Sequence, residues 1–176
     1  MKLTSESKAI GLANKIKAEF AAEVRENYEH KAKDCSSCAT PGACCLDAHF
    51  VNVHITRLEA AAIENVLARL PEAKRQDVYR RIDGAVTKFD LSSEGDTFQK
   101  KYACPLYENG TGCLVHHEGK PLPCIQHACY EKPEYLPPDR LMNERSAAIE
   151  LLNFRCYTEP PRWLPLPVYL SENRKQ

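Results

Sequence analysis

The sequence lacks the features that mark membrane proteins and general nucleic-acid-binding proteins. Its 24 basic and 24 acidic residues cancel, so the net charge gives no support to a broad nucleic-acid surface. No apolar run approaches the length of a membrane span, and residues 1–20 lack the unbroken apolar core of a signal peptide. There is no internal repeat and no glycine-rich nucleotide loop after a strand. These absences predict a cytoplasmic protein without a membrane partner, and they disfavour a nucleic-acid partner.

Cysteine, by contrast, is abundant. The chain has nine cysteines, and in the reducing cytosol such a number indicates metal binding or catalysis rather than a disulfide framework. The odd number also argues against full disulfide pairing. Eight of the nine form two groups of four, which are Cys35, Cys38, Cys44 and Cys45, and Cys104, Cys113, Cys124 and Cys129. Four thiolates complete one tetrahedral zinc shell or hold one iron–sulfur cluster, although one site could draw from both groups.

The first group lies in the segment CSSCATPGACC. A Cys-x-x-Cys turn lets the thiolates of Cys35 and Cys38 converge on one ion while backbone N–H groups offset their charge. If the segment is extended, the adjacent Cys44 and Cys45 point to opposite sides, which disfavours them as two ligands of one mononuclear site. They could serve two metals, or one could bind while the other packs or reacts. A polynuclear centre relaxes this constraint.

Two histidines and the ninth cysteine need separate interpretations. His127 lies between Cys124 and Cys129, and it is the first candidate for a non-cysteine ligand or for a donor to a ligand. A lone loop histidine is more often solvated, and this is the favoured interpretation of His127. His54, on a predicted strand, is interpreted as structural. Cys156 is isolated from the other cysteines and is interpreted as a small buried hydrophobic residue.

The patterning predicts a mainly α fold with a small β-hairpin and short strands, of the α+β class, around an irregular cysteine-rich metal-binding core. Helices are predicted over residues 5–30, from a Thr56 capping box to about Leu70, from Pro71 through Phe89, and after Pro138. A short strand is predicted within residues 50–56. One domain over residues 1–176 is predicted, with an N-terminal helix in 1–33, the cysteine-cluster core in 34–130, and a C-terminal helix and proline-rich extended tail in 131–176.

Glycine and proline support three further predictions. The glycines of residues 109–112 predict a hairpin turn, with Cys104 and Cys113 on the two arms. The prolines of residues 120–124 predict an irregular turn, because proline cannot donate to a regular ladder. The four prolines of residues 158–168 predict an extended tail rather than a helix, and its apolar residues predict that it lies across the domain.

Taken as a set, the cysteine segments resemble the YkgJ-type cysteine-cluster family. The resemblance rests on CSSCATPGACC, on Cys104-Pro105, on Gly112-Cys113, and on Lys120-Pro-Leu-Pro-Cys124 followed by Cys129. It covers residues 35–129. The family is described as zinc- or iron-chelating, so the resemblance implies metal binding through the eight cysteines.

This sequence departs from the family's usual form at two places. The gap between Cys38 and Cys44 is longer, and Lys120 and Ile125 stand where the family has arginines that could balance an anionic cluster. A related cysteine pattern occurs in flagellin lysine N-methylases, which are thought to carry an iron–sulfur cluster. This second resemblance favours iron, but the absence of a nucleotide loop gives no support to methylase activity.

The first functional hypothesis is therefore an iron–sulfur protein, with a [4Fe–4S] cluster used in electron transfer or a redox step with a redox partner. The alternatives are a structural Zn²⁺ module that mediates protein interaction, and a protein of metal delivery or storage. Enzyme activity, if present, would be of an Fe–S-dependent oxidoreductase type, and no catalytic residue is assigned. A catalytic zinc hydrolase is disfavoured, because such sites need an open coordination position and His or carboxylate ligands.

Overall fold

The structure is a computed structural model that describes residues 3–33, 40, 42–46 and 52–174. The helices in these residues are α1 Glu6–Asn27, α2 Ala43–Leu46, α3 Arg57–Leu67, α4 Glu72–Lys88, α5 Leu122–Gln126, α6 Asp139–Tyr157 and α7 Leu166–Asn173. The strands are β1 Ala32–Lys33, β2 His54–Ile55, β3 Tyr107–Glu108, β4 Gly112–Cys113, β5 Cys129–Tyr130 and β6 Leu164–Pro165. They form three antiparallel pairs, β1 with β5, β2 with β6, and β3 with β4. The predicted mainly α, α+β fold class is confirmed.

Helix α1 forms where the apolar residues recur at helical spacing. Ala9, Ala13, Phe20 and Val24 are all buried on one side of it, as the periodicity predicts. This face packs against α3, α5 and α6. The helix ends at Asn27, three residues before the predicted limit at residue 30.

Helix α3 begins with the predicted capping box. The Glu59 amide donates to Thr56 Oγ1 at 3.4 Å, and the Thr56 amide donates to the Glu59 carboxylate at 3.2 Å. The helix ends at Leu67 rather than near Leu70, and α4 then begins directly after Pro71. The predicted inward positions Val78 and Ile82 of α4 are fully buried.

Two apolar clusters form the core, and α3 contributes to both of them. Ile63 and Leu67 of α3 lie in a cluster with residues of α4 and α7, and this cluster includes the buried Tyr102. Leu58 and Ala62 of α3 lie in a second cluster with residues of α1, α5 and α6. The long irregular connection between α4 and α6 carries most of the described cysteines, and it lies against this helical frame through Tyr102 and α5.

Two proline-based predictions are wrong for the same reason. Residues 122–126 form α5 instead of an irregular turn, with Pro121 as its N-cap and Pro123 in its first turn. Residues 166–173 form α7 instead of an extended tail, with Pro167 in the first turn. The first turn of a helix does not use its own backbone N–H groups, so proline is tolerated there. The preceding Leu164-Pro165 is extended and pairs with His54-Ile55.

The predicted strand over residues 50–56 is shorter than expected, because only His54–Ile55 pair as a strand and residues 50 and 51 lie outside the described residues. Its histidine has the predicted structural role: it is buried, stacks on Phe98 with ring centroids 4.0 Å apart, and has Nε2 3.0 Å from Thr97 Oγ1. No helix in residues 3–33, 43–46 or 52–174 is both long enough and apolar enough to cross a membrane.

Candidate metal centre

The predicted ligands are distributed over several short elements. Cys44 and Cys45 lie on α2, Cys104 in the segment before β3, Cys113 on β4, Cys124 on α5 and Cys129 on β5. Cys35 and Cys38 lie outside the described residues. All of these placed cysteines, together with Cys156, are free thiols in the structure.

Helix α2 is held against the β3–β4 hairpin by backbone contacts. The Cys104 amide donates to the Cys45 carbonyl at 2.7 Å. Gly42, just before α2, has φ +81°, and a Cβ at this position would overlap the Tyr107 ring of β3. Glycine is therefore required here both by the backbone conformation and by the close approach of the ring. These contacts bring Cys45 to the part of the chain that carries Cys104 and Cys113.

The hairpin forms at the predicted glycines, but its arms are shorter than predicted. Tyr107 pairs with Cys113, so Cys113 lies on an arm as expected. Cys104 precedes β3 and is not on an arm, which corrects the prediction for this residue. The Tyr107 amide donates to the Cys104 carbonyl at 3.3 Å, so the chain turns tightly at Cys104 before it enters the hairpin.

Four thiols form one electrostatic group, which we call the four-thiol set: Cys45, Cys104, Cys113 and Cys124. The pKa of Cys45 and of Cys104 is raised to about 12, and the pKa of Cys113 and Cys124 is raised as well, with burial as the largest cause. Repulsion between the thiolates, which acts in every pair within the set, is part of these shifts. The set therefore unites residues from three separate parts of the chain, and its thiols are neutral at pH 7 without a cation.

Backbone N–H groups point at two sulfurs of the set. The amides of Leu106 and Tyr107 donate to Cys104, and the amide of Val115 donates to Cys113, and each of these bonds lowers the pKa of the thiol that accepts it. Hydrogen bonds of this kind favour the thiolate, which is the form that binds metal. They also tune the potential of an iron–sulfur cluster. In the metal-free protein, burial raises the pKa of these two thiols by more than the hydrogen bonds lower it.

Positive charge near the set comes from two side chains. Lys120 lowers the pKa of Cys113 and Cys124, and Arg81 lowers that of Cys104. Lys120 was a candidate from the sequence because it is close to Cys124 in the chain. Arg81 was not identified from the sequence, because it lies on α4 and no local pattern connects it to the cysteines. Its guanidinium reaches the hairpin and donates to the Tyr107 carbonyl at 2.8 Å.

Sequence reasoning also missed Tyr102, which is fully buried. Its hydroxyl donates to the Val53 carbonyl and accepts from the Leu166 amide at 3.2 Å. Burial raises its pKa well above the usual range, and Cys104 and Cys124 raise it further through their charge. Tyr102 thus connects the β2–β6 ladder to the four-thiol set. Its position two residues before Cys104 is the only sequence signal for this role.

Cys44 and Cys129 lie outside the four-thiol set. Cys44 and Cys45 are on a helix rather than on an extended segment, so the premise of the prediction for this pair is wrong. Their side chains are rotated by about 100° from each other around α2, and Cys44 forms a thiol–thiol hydrogen bond with Cys45. Cys129 is exposed on β5, opposite Lys33. Cys156 packs partly buried against the second apolar cluster, in agreement with its interpretation as a small hydrophobic residue.

His127 lies beside the four-thiol set and faces a different cavity. It lines a cleft of about 380 Å³ with Pro123, Leu136 and Met142 among its walls, and no described cysteine lines this cleft. Burial lowers the pKa of His127, and the positive charge of Lys120 lowers it further, so the imidazole is neutral at pH 7. A neutral imidazole is able to bind metal, but the role of His127 as a ligand stays a prediction.

The four-thiol set has the donor chemistry of a metal centre without its ligating geometry. Across residues 3–33, 40, 42–46 and 52–174, no three His, Cys, Asp or Glu side chains are placed so that they could hold one metal ion together. Four neighbouring sulfurs with N–H donors fit either zinc or an iron–sulfur cluster. Ligation would require that the side chains of the set turn toward a common point.

Comparisons of this chain with protein-family models, with curated proteins and with solved structures found no match. The YkgJ-type resemblance therefore stays a prediction from the cysteine motif. The case for a metal centre rests instead on the chain's own residues, which are the four thiols of the set, their N–H donors and the two nearby cations.

Proposed function

We propose that the chain is a cytoplasmic metal-binding protein in which Cys45, Cys104, Cys113 and Cys124 hold an iron–sulfur cluster of the [4Fe–4S] type. The cluster would serve electron transfer or a redox step with a redox partner. The observation that carries this proposal is the mutual charge interaction of four thiols from three separate parts of the chain. Four cysteine sulfurs are the complete ligand set of one such cluster.

The electrostatics of the set support a metal-bound state. Without a cation, mutual repulsion and burial keep the four thiols protonated. Metal binding releases these protons and replaces the repulsion by attraction to the metal. Lys120 and Arg81 then offset part of the negative charge that four thiolates bring into a partly buried site.

Structural zinc is the alternative, and one observation favours it. Among the described residues between Lys88 and Asp139, no helix is longer than the five residues of α5 and each strand has two residues. Such short elements are marginal by themselves. A metal bound by Cys104, Cys113 and Cys124 would tie this region together, since the free energy of metal binding then contributes to folding.

The test is the metal and acid-labile sulfide content of the protein purified without oxygen, measured together with its visible spectrum. Iron with equimolar sulfide and a brown, bleachable absorption band supports the cluster. Stoichiometric zinc without sulfide supports the structural alternative. A protein that holds neither metal, even after reconstitution, refutes the proposal.

Matched serine variants locate the ligands. We expect Cys124→Ser and Cys113→Ser to lose most of the bound metal, because each removes one member of the four-thiol set. Cys156→Ser is the control, since no thiol of the set is among the groups that shift the pKa of Cys156. Equal metal content in all three variants would show that the set is not the binding site.

A further inference from the structure

A buried ion pair lies beneath the helix that carries Cys124. Lys17 of α1 and Glu59 of α3 are 5% and 0% exposed. Lys17 Nζ is 3.0 Å from Glu59 Oε1. Burial of two charges is costly even when they are paired, and a hydrophobic pair in the same place is often at least as stable. General stability is therefore a weak explanation for this pair.

The Glu59 carboxylate joins three helices. Its Oε2 accepts the Thr56 amide of the α3 capping box, and its Oε1 accepts the Leu122 amide at 3.3 Å. The same Oε1 contacts the ammonium of Lys17 on α1. Leu122 is the first residue of α5, where backbone N–H groups have no partner within the helix. One side chain thus holds the start of α5 against α1 and α3.

This contact bears directly on Cys124, the third residue of α5. A five-residue helix is not stable by itself, so its tertiary contacts decide where Cys124 lies. Those contacts include the buried side chains of Leu122 and Ile125, the bond from Gln126 to the Pro137 carbonyl at 3.5 Å and the bond to Glu59. Cys113, by comparison, is held by the β3–β4 ladder, which Glu59 does not touch.

We infer that the Lys17–Glu59 pair positions Cys124 within the four-thiol set by anchoring the start of α5. Glu59 is a positioning residue in this inference, since it acts through the Leu122 amide and does not bind metal. As a statement about a metal site, the inference rests on the proposed function. Its prediction for the position of Cys124 can also be tested in metal-free protein.

Glu59→Ala is the first test variant, because it removes the oxygen that accepts the Leu122 amide. Lys17→Met/Glu59→Gln is the rescue variant, since the glutamine oxygen can still accept the Leu122 amide and no buried charge remains. Glu23→Gln is the matched control. Glu23 pairs with Arg145 at 3.0 Å and joins α1 to α6.

Two readouts separate positioning from general destabilisation. The first is the alkylation rate of each cysteine in reduced, metal-free protein, resolved by mass spectrometry. The second is the affinity for Co²⁺, obtained by competition with a chelator and followed by thiolate-to-cobalt absorption. Each variant is measured under conditions where its circular dichroism shows that it is fully folded.

We expect Glu59→Ala to accelerate the alkylation of Cys124 several-fold and to leave Cys113 unchanged. Its Co²⁺ affinity should fall by about 10- to 100-fold, the usual loss when a partner that orients a metal ligand is removed. The rescue variant should recover most of this affinity, and Glu23→Gln should match the wild type in both readouts.

An unchanged Cys124 alkylation rate in folded Glu59→Ala overturns the inference, and so does an equal effect of Glu23→Gln. If Glu59→Ala does not fold, Glu59→Asp is measured instead. It keeps the charge for Lys17 but shortens the reach to the Leu122 amide, and a wild-type alkylation rate again overturns the inference. A wild-type protein that binds none of Co²⁺, Zn²⁺ or iron refutes the proposed function instead. The alkylation result then still decides whether the pair positions Cys124.

Discussion

Replacing Gly42 by alanine should release α2 from the hairpin and remove Cys45 from the four-thiol set. The new Cβ would overlap the Tyr107 ring, so either the ring or α2 must move. The positive φ of +81° adds its own penalty of about 1–2 kcal/mol for a residue with a Cβ. Overpacking against the ring contributes about 1–3 kcal/mol more. Both terms oppose the packing of the four-residue α2 against the Tyr107 ring.

Gly95→Ala is a matched control that measures only the cost of placing a residue with a Cβ at positive φ. Gly95 has a similar φ of +74°, and a Cβ built on it meets no atom within 4 Å. Both variants should lose about 1–2 kcal/mol from the left-handed conformation, but only Gly42→Ala should expose Cys45. The difference between the two variants measures the contact with Tyr107.

The assay is the alkylation rate of Cys45 in metal-free protein, together with the metal content after reconstitution. We expect Gly42→Ala to alkylate faster at Cys45 and to hold less metal, with Gly95→Ala close to the wild type in both. If Gly42→Ala and Gly95→Ala behave alike, the docking of α2 on Tyr107 is refuted as the device that places Cys45.

Three further predictions concern stability. The pKa of Cys104 is raised to about 12 from 9.0 in the folded state, so the folded protein binds this proton more tightly than the unfolded chain does. The free energy of unfolding of the metal-free protein should therefore fall from pH 9 toward pH 12. The fall should be less steep in Cys104→Ser, as measured by urea titration at several pH values. Tyr102→Phe should cost only about 1 kcal/mol, because the Leu166 amide still donates to the Val53 carbonyl at 2.9 Å; a loss of several kcal/mol in urea unfolding would contradict this. Thr56→Ala should cost about 1 kcal/mol by loss of the capping box, and Thr56→Ser should retain most of the stability in thermal melts.

The helices were predictable where a local rule decides the structure. Apolar residues at helical spacing located α1, and the Thr56–Glu59 spacing located the start of α3. Both signals lie within one or two turns of chain, so distant residues have little effect on them. The ends were less predictable, since α1 and α3 each end about three residues early.

The predictions for the proline-containing segments 120–124 and 158–168 failed because the effect of proline depends on its position in a helix. The interiors of helices exclude proline, but the first turn accepts it. Pro123 and Pro167 both lie in first turns, of α5 and α7. The apolar residues of 164–170 are buried as predicted, but part of that segment packs as a helix rather than as an extended chain. Burial could be predicted from composition, whereas the backbone conformation could not.

The grouping of the cysteines shows the same limit at the candidate site. Closeness in sequence suggested two groups of four, with Cys44 and Cys45 in the first and Cys124 and Cys129 in the second. The sequence also allowed one site that draws from both groups, and the structure joins Cys45 to members of the second group while Cys129 is exposed on β5. Sequence spacing identifies residues able to bind metal, but it does not determine which of them meet.

By itself the sequence determined which residue types could do chemistry and where the long helices form, since thiol chemistry and helical periodicity are properties of single residues and of short segments. Only the tertiary structure decided that Cys45 reaches Cys104, because that approach depends on Gly42 lying against the Tyr107 ring. It also decided that Arg81 of α4 lies near the thiols, and that Glu59 of α3 anchors α5. These contacts join segments that are far apart in the chain, and they follow from the packing of helices whose mutual arrangement no local pattern specifies.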